Sequence, residues 1–515
     1  MDAIYHTGPD LPPPPADFNM AAYVLAGGAQ TPGKLALSVL GETRDDWSYD
    51  RLTRAVRAIA GGFLAQGLTP GDRVLLRLGN TVEFPLAFLG AIAAGLVPVP
   101  TSSQLTAREI TGMAAQIGPA LIVAGDGVAL PDPLPCPVLT EADLHDLASG
   151  PEAAFDMGDP NRPAYAIFTS GTSGTPRAVL HAHRAIWARR MMWDGWCGLT
   201  SDDRLMHAGA FNWTYTLGTG LMDPWSRGAT ALIPEPGTRS SDLAALIAAE
   251  RVTIFAAAPG IYRQMLRGEM PDAPALRHGL TAGEKLADPI RDAWQSATGT
   301  TLHEAFGMSE CSTFVSGSPA RPAQPGSLGY PQPGRTVAVL GENGPATFGE
   351  PGVLAVKADD PGLMLGYIGA EDETRARFRG PWFLTGDTVA MAEDGAISYL
   401  GRDDDMMNAG GFRVSPVEVE SAMVLHPDVL EAAAVEISVS ETARVIACFY
   451  VAEPGRAPDD AALAAHAAET LAHYKCPRLF VRVDTLPKGA NNKLLRRALR
   501  AQADAGDFGP LGRKG

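Results

Sequence analysis

Tyr165 to His183, reading YAIFTSGTSGTPRAVLHAH, sets a turn of small residues and hydroxyls behind a short apolar strand. Thr169, Ser170, Thr172, Ser173 and Thr175 offer hydroxyl donors beside backbone N–H groups, and Gly171 and Gly174 let the main chain approach an anion closely. Arg177 adds positive charge. These are the ingredients of a phosphate cradle. The nucleotide-binding loop GxxxxGK[ST] is excluded, because Pro176 and Arg177 stand where Gly and Lys are required, and a Rossmann fingerprint fails as well. An isolated Ser/Gly/Thr run is otherwise read as a surface linker, so the rest of the chain has to decide.

Other chemistry-bearing groups recur further along. Phe306 to Glu310 (FGMSE) follows the strand-like TLHEAF, and Gly283-Glu284-Lys285 follows the apolar AAAPGIYRQM. In WFLTGD, Asp387 stands directly after an apolar strand; the charged turn GRDDD then brings Arg402 and Asp404, and Gly411, Arg413, Glu418 and Glu420 follow. Near the end, LPKGANNKLLRR carries Lys493. Taken singly these read as an exposed loop carboxylate, a turn, solvated charges and a basic helix start. His303-Glu304 fails as HExxH, since Gly307 takes the place of the second histidine, so a zinc hydrolase is unsupported.

The elements that must position these groups follow from composition and periodicity. A chain of 515 residues exceeds one core and suggests a large domain with a smaller one. With 46% hydrophobic and 19% charged residues it is an ordinary globular composition. A net charge of −16 disfavours nucleic acid and anionic membranes as partners. The five cysteines lack CxxC spacing, so neither a disulfide framework nor a zinc site is indicated and a reducing cytoplasm fits. No secretory signal is visible, and the longest apolar stretch, 84–100, is broken by Pro and Gly and falls short of a membrane span; it reads as a buried helix running into a strand. Helical spacing covers 47–66, 242–250 and 261–267, and buried strands are expected at 74–78, 121–124 and 229–233. This alternation predicts α/β with layered sheets. Gly/Pro turns between short strands at 349–399 suit a β-rich subdomain, followed beyond Arg402 by a separately folding helix–strand module.

In this order the motifs resemble the signatures of the acyl-adenylate-forming superfamily, the AMP-dependent synthetases and ligases, and its acyl-CoA synthetase branch. The loop at 165–183 resembles YTSGTTGxPKG, with Arg177 for Lys and Ala178 for Gly; FGMSE resembles YGxTE; GRDDD…GGFR and PVEVE resemble GRxDD…GxR and PxEVE; and LPKGANNKLLRR resembles PKTxxGKIxRR, with Asn492 for Gly. The resemblance implies a large N-terminal domain, 1–401, of layered sheets and helices with a β-rich subdomain at about 325–401, and a small mobile α+β domain, 402–515. It implies ATP, Mg²⁺ and coenzyme A. Residues 169–175 and Arg177 would hold phosphates, Glu310 the metal, Phe306 the adenine and Ser309 a phosphate. The backbone at Gly283 and Glu284 would line the adenine and acyl pockets, and Glu304 and Gly307 would belong to the same nucleotide site. Asp387 and Arg402 would reach the ribose. Lys493 would be catalytic, with Thr169, Arg177 and Glu310; Asp404 would be the hinge, with Gly411 and Arg413 beside the CoA channel.

The acid is read from Phe211, Trp213 and Tyr215, which could wall an apolar acyl group, and from Gly307, where acetate-specific relatives carry a Trp. Aryl or medium-chain acids fit best. The implied reaction forms an acyl-AMP with release of pyrophosphate and passes the acyl group to CoA. The alternatives are delivery to a separate carrier protein, a non-catalytic nucleotide-binding relative, and, ranked last, a luciferase-type oxygenase. The expected partners are the small-molecule acid, ATP and CoA, with a homodimer left open.

Overall fold

The structure, a computed structural model, describes residues 1–41, 44–169, 176–402, 405–409, 412–439, 444–489 and 494–509. Its contacts divide the chain into two compact units: Tyr5–Thr336 with Val356–Phe383, and Met1–Ile4 with Val337–Ala355 and Leu384–Gly515.

The larger unit is built on strands buried on both faces. Among the described residues nine strands form one sheet, whose middle runs Thr301–Met308, His278–Ala282, Ile254–Ala256, Arg204–His207, Thr230–Pro234 and Leu35–Leu40, all parallel. Such runs as TALIP and IFA are buried along their whole length: helix Ser240–Ala249 connects these two strands and, with Asp288–Thr298 between His278–Ala282 and Thr301–Met308, packs on the sheet. A second, parallel sheet joins Val97–Pro100, Arg73–Arg77, Leu121–Ala124 and Val138–Thr140. Stretch 84–100 folds as read, with the buried helix Glu83–Ala93 turning at Gly95 (φ +75°) into the strand Val97–Pro100. The helix expected from 47 starts at Tyr49 instead. Ser48 caps it by accepting from the Arg51 amide, and Trp47 belongs to the antiparallel edge strand Asp45–Ser48.

A third, small antiparallel sheet carries the phosphate-loop sequence. Strands Pro163–Thr169 and Arg177–Ala182 pair with Thr169 opposite Arg177, and Gly366–Tyr367 adds to the second of them. Residues 170–175 lie outside the described residues.

In the smaller unit a hairpin pairs Trp382–Met391 with Ile397–Arg402. The terminal module follows. Strands Val429–Ser438, Arg444–Ala452 and Leu479–Arg482 form a mixed sheet, with helices Pro416–Val424, Asp460–Thr470 and Arg496–Ala505. One core lies around Val419, Met423, Ala434 and Leu463, a second around Val435, Phe449 and Leu499. The strands at 337–355 and 384–402 group with this module. All five cysteines are free, and no described helix is long and apolar enough to cross a membrane.

Candidate active site

Thr169 and Arg177 face each other at the mouth of the hairpin, so the ladder itself sets the two ends of the loop between them. Arg177 grips Glu373 through two hydrogen bonds, Nε to Oε2 at 2.6 Å and Nη2 to Oε1 at 2.5 Å. Glu373 is half exposed, and the same guanidinium fork suits a phosphate.

The hairpin is tied to the turn after strand Thr301–Met308 at two points. His181 Nε2 lies 2.7 Å from the Ser309 carbonyl, and Tyr367, whose backbone pairs with Val179, donates its hydroxyl to Glu310 Oε1 at 2.6 Å. Burial and the neighbouring carboxylate push the Tyr367 hydroxyl up, so it stays a donor. Arg377 Nη2 stands 3.8 Å from Glu310 Oε1. Glu310 is buried, and no protein donor reaches its Oε2 among the described residues. Among the described residues no group of three or more His, Cys, Asp or Glu could cage a metal. A single hard oxygen suits Mg²⁺, which keeps waters and takes its other ligands from substrate phosphates.

Of the remaining sequence-predicted residues, Phe306 lies in the strand with its ring edge-on to Phe314 at 5.6 Å. Glu304 is buried: its Oε1 accepts from the Leu286 amide at 2.9 Å, and Arg291 Nη2 lies 3.5 Å from Oε2. Burial pushes its carboxyl up to about 7, against the pull of the amide and Arg291. Its contact holds the loop that begins at Gly283-Glu284. Gly283 has φ +95°, and a Cβ there would stand 2.6 Å from Trp213 Cζ2. Trp213 therefore lies flush on the main chain of that loop.

The residues expected to wall the acyl group differ in their surroundings. Phe211 is core, 1% exposed and packed on Phe84 at 5.4 Å. Tyr215 is buried too, its hydroxyl donating to the Leu280 carbonyl, so of the three aromatics Trp213 is the one with open surface. Gly307 has no room for a side chain of its own. A Cβ on it would meet Ser312 O at 2.2 Å and Thr313 Cα at 2.5 Å, where the strand pair bulges between Phe306 and Gly307.

In the smaller unit Asp387 and Arg402 are direct partners across the Trp382–Arg402 hairpin. Tyr399 donates to Asp387 Oδ1 at 3.1 Å, and Arg402 Nη1 approaches Oδ2 at 3.4 Å. Asp387 sits in mid-strand, not beyond its end, because the chain passes Gly386 at φ +77° and continues to Met391. Glu420 clamps Arg496 at 2.6 and 2.7 Å and accepts from the Ala434 amide. Lys488 and Leu494 pair as an isolated bridge. Asp404, Gly411 and Lys493, and the side chain of Arg413, lie outside the described residues.

Sequence reasoning missed His181, Glu373, Tyr367 and Arg377. Tyr367 and Arg377 carry no local signal; their place beside Glu310 comes from a strand pairing across nearly two hundred residues.

A sheet of parallel strands with such a hairpin and carboxylate at hand defines a nucleotide-using α/β enzyme. The chain belongs to the AMP-binding enzyme family, which matches residues 26–368, while residues 418–493 match the AMP-binding enzyme C-terminal domain. It is similar to benzoate–CoA ligase of Thauera aromatica, 29% identical over 95% of this chain and 96% of the relative. It is also similar to the mitochondrial acyl-coenzyme A synthetase ACSM5 of Mus musculus, 30% identical over 89% of this chain and 85% of that one. Among solved structures, a benzoate CoA ligase from Burkholderia xenovorans LB400 superimposes with a TM-score of 0.85 at 29% identity, covering 94% of this chain and all of the other. ATP-bound MatB from Rhodopseudomonas palustris gives 0.86 at 25% identity over 94% and 99% of the two chains.

Proposed function

We propose that this chain is an ATP-dependent, AMP-forming acid–CoA ligase acting on an aryl or medium-chain carboxylic acid. The observation that carries the reading is the meeting of the Arg177 hairpin with the Ser309–Glu310 turn through His181 and Tyr367. It gathers a loop rich in phosphate donors, a cation and a hard carboxylate oxygen from segments far apart in the sequence.

A carboxylate is a poor acyl donor because oxide is too poor a leaving group. In the first half-reaction a carboxylate oxygen attacks the α-phosphorus of ATP and the bond to pyrophosphate breaks. Thr169, the 170–175 loop and Arg177 hold the departing phosphates. Glu310, oriented by Tyr367 and Arg377, would hold Mg²⁺, whose charge offsets that building on the phosphate oxygens. Ser309 and the Gly283–Glu284 backbone flank the nucleotide, Asp387 and Arg402 take the ribose hydroxyls, and Trp213 lies against the acyl group. Lys493 neutralises charge at the α-phosphate. In the second half-reaction the CoA thiol attacks the acyl carbonyl, AMP leaves, and the C-terminal domain, 402–515, turns about Asp404 with Gly411 and Arg413 beside the pantetheine. Five free cysteines suit a reducing cytoplasm.

The test is ATP–pyrophosphate exchange with benzoate, hexanoate, acetate and malonate, followed by CoA-dependent release of AMP. Exchange with benzoate or hexanoate is expected. Preference for acetate or malonate overturns the acid class, and exchange with none of a broad panel overturns the ligase.

A further inference from the structure

One short segment reaches both the cation and the carboxylate of the proposed phosphate site. Its strand, Gly366–Tyr367, pairs with Leu180 and Val179 on the strand that begins at Arg177, and the helix Glu371–Ala376 follows it. Tyr367 and Arg377 approach Glu310, while Glu373 holds Arg177. We infer that Glu373 is a positioning residue for the first half-reaction: it fixes the Arg177 guanidinium so that the cation meets the phosphates of ATP in one orientation, and it stays bound to Arg177 while it does so. The inference rests on the ligase reading and adds a residue to it.

The geometry allows both partners at once. Glu373 takes Nε at 2.6 Å and one hydrogen of Nη2 at 2.5 Å. A guanidinium has five N–H donors, so three remain, and none of them has a partner among the described residues. The Arg177 side chain keeps 20% of its surface open. Exposed ion pairs usually contribute little, with bidentate geometry as the exception, and this carboxylate is also anchored. Thr374, next to Glu373, accepts from the Tyr367 amide at 2.9 Å and donates to the Ala370 carbonyl at 3.0 Å. A Cβ on Gly366 would stand 3.2 Å from Thr374, so the helix lies close on the strand. Contacts therefore run in a ring from Arg177 along its strand to Tyr367, through Thr374 to Glu373 and back to Arg177.

Arginine is what makes the partner matter. A lysine, as in the motif this loop resembles, presents a point charge with no plane to orient, whereas the planar fork grips phosphate in pairs of hydrogen bonds only when it is aligned. A guanidinium already held by Glu373 has given up its rotamer freedom before ATP arrives. The added negative charge works against ATP affinity, so the benefit of Glu373 falls on the departure of pyrophosphate, in kcat, and not on KM for ATP.

The experiment compares acid-dependent ATP–pyrophosphate exchange with thioester formation from supplied acyl-AMP, in wild type, Glu373→Ala, Glu373→Gln, Arg177→Lys and the double variant of Arg177→Lys with Glu373→Ala. Glu373→Ala is expected to lower kcat of exchange about tenfold, with KM for ATP within about threefold of wild type. The thioester step should stay near wild type, because acyl-AMP carries no β or γ phosphate. Glu373→Gln, which keeps one acceptor, should lose less. In the Arg177→Lys background Glu373→Ala should cost less than about twofold. An effect confined to KM for ATP overturns the inference, and a lowered KM would make Glu373 a competitor of the phosphates. Equal loss in both half-reactions, unchanged kinetics, or an undiminished loss in the Arg177→Lys background overturns it as well. Should Glu373→Ala fail to fold, Glu373→Gln decides by the same comparisons. All these outcomes leave the ligase reading standing; wild type that exchanges with no acid overturns that reading and this inference together.

Discussion

Glu304 is a carboxyl group held where water does not reach, with one amide and one guanidinium for company. In the sequence it could be read only as half of a failed metal motif or as a member of the nucleotide site, because its partner, the Leu286 amide, is a backbone group that no residue type announces. Its pKa of about 7 in the fold stands above the ordinary 4.5. Between these values the folded chain binds more protons than the unfolded one. Its contribution is therefore most favourable below pH 4.5, is lost as pH rises towards 7, and stays lost above, a span of about 3 kcal/mol at most. Glu304→Gln is expected to follow wild type closely at pH 5 and to unfold about 2–4 °C higher at pH 8. Thermal unfolding at four pH values between 5 and 8 checks this. A difference independent of pH would mean that Arg291 keeps the carboxylate ionised throughout.

At the scale of elements, the strands that could be read were those apolar along their whole length, such as Leu121–Ala124, which matches its expected bounds. Trp47 was drawn into a helix because its spacing fits one, although Ser48 caps that helix after it. Asp387, read as following the apolar strand of WFLTGD, lies within it, because the strand passes Gly386 at positive φ and continues to Met391. The fifteen residues from Asp387 to Arg402 turn out to be a hairpin register, which needs no motif to explain it. At Gly307 the strand pair itself dictates the residue. The Thr301–Met308 and Ser312–Ser316 strands approach so closely there that any side chain overlaps backbone. Gly307→Ala is accordingly expected to cost about 1–3 kcal/mol of stability, seen as a lowered unfolding midpoint, with all acids affected alike. A variant as stable as wild type that merely rejects the larger acids would mean that Gly307 acts through the acyl pocket and not through the strand pair.

Over the whole chain, the order of the motifs was legible and their supports were not. The matched segments end at residue 493, where the proposed catalytic lysine stands. On its far side the last helix is anchored by Arg496, a partly buried cation paired with Glu420 and raised well above its usual pKa by that carboxylate against the penalty of burial. This pair gives PVEVE a structural duty. Lys493→Ala should lower acid-dependent pyrophosphate exchange by about 10²–10³ while leaving thioester formation from supplied acyl-AMP near wild type. The reasoning is that charge builds on the α-phosphate and carboxylate oxygens only in the first half-reaction, and the anhydride supplied ready-made bypasses that step. Asp404→Pro, which stiffens the proposed pivot, should show the opposite bias, sparing exchange and slowing CoA transfer. Equal loss of both half-reactions in Lys493→Ala would move the lysine from chemistry to substrate binding in general, and an Asp404→Pro enzyme unaffected in both would place the pivot elsewhere in the chain.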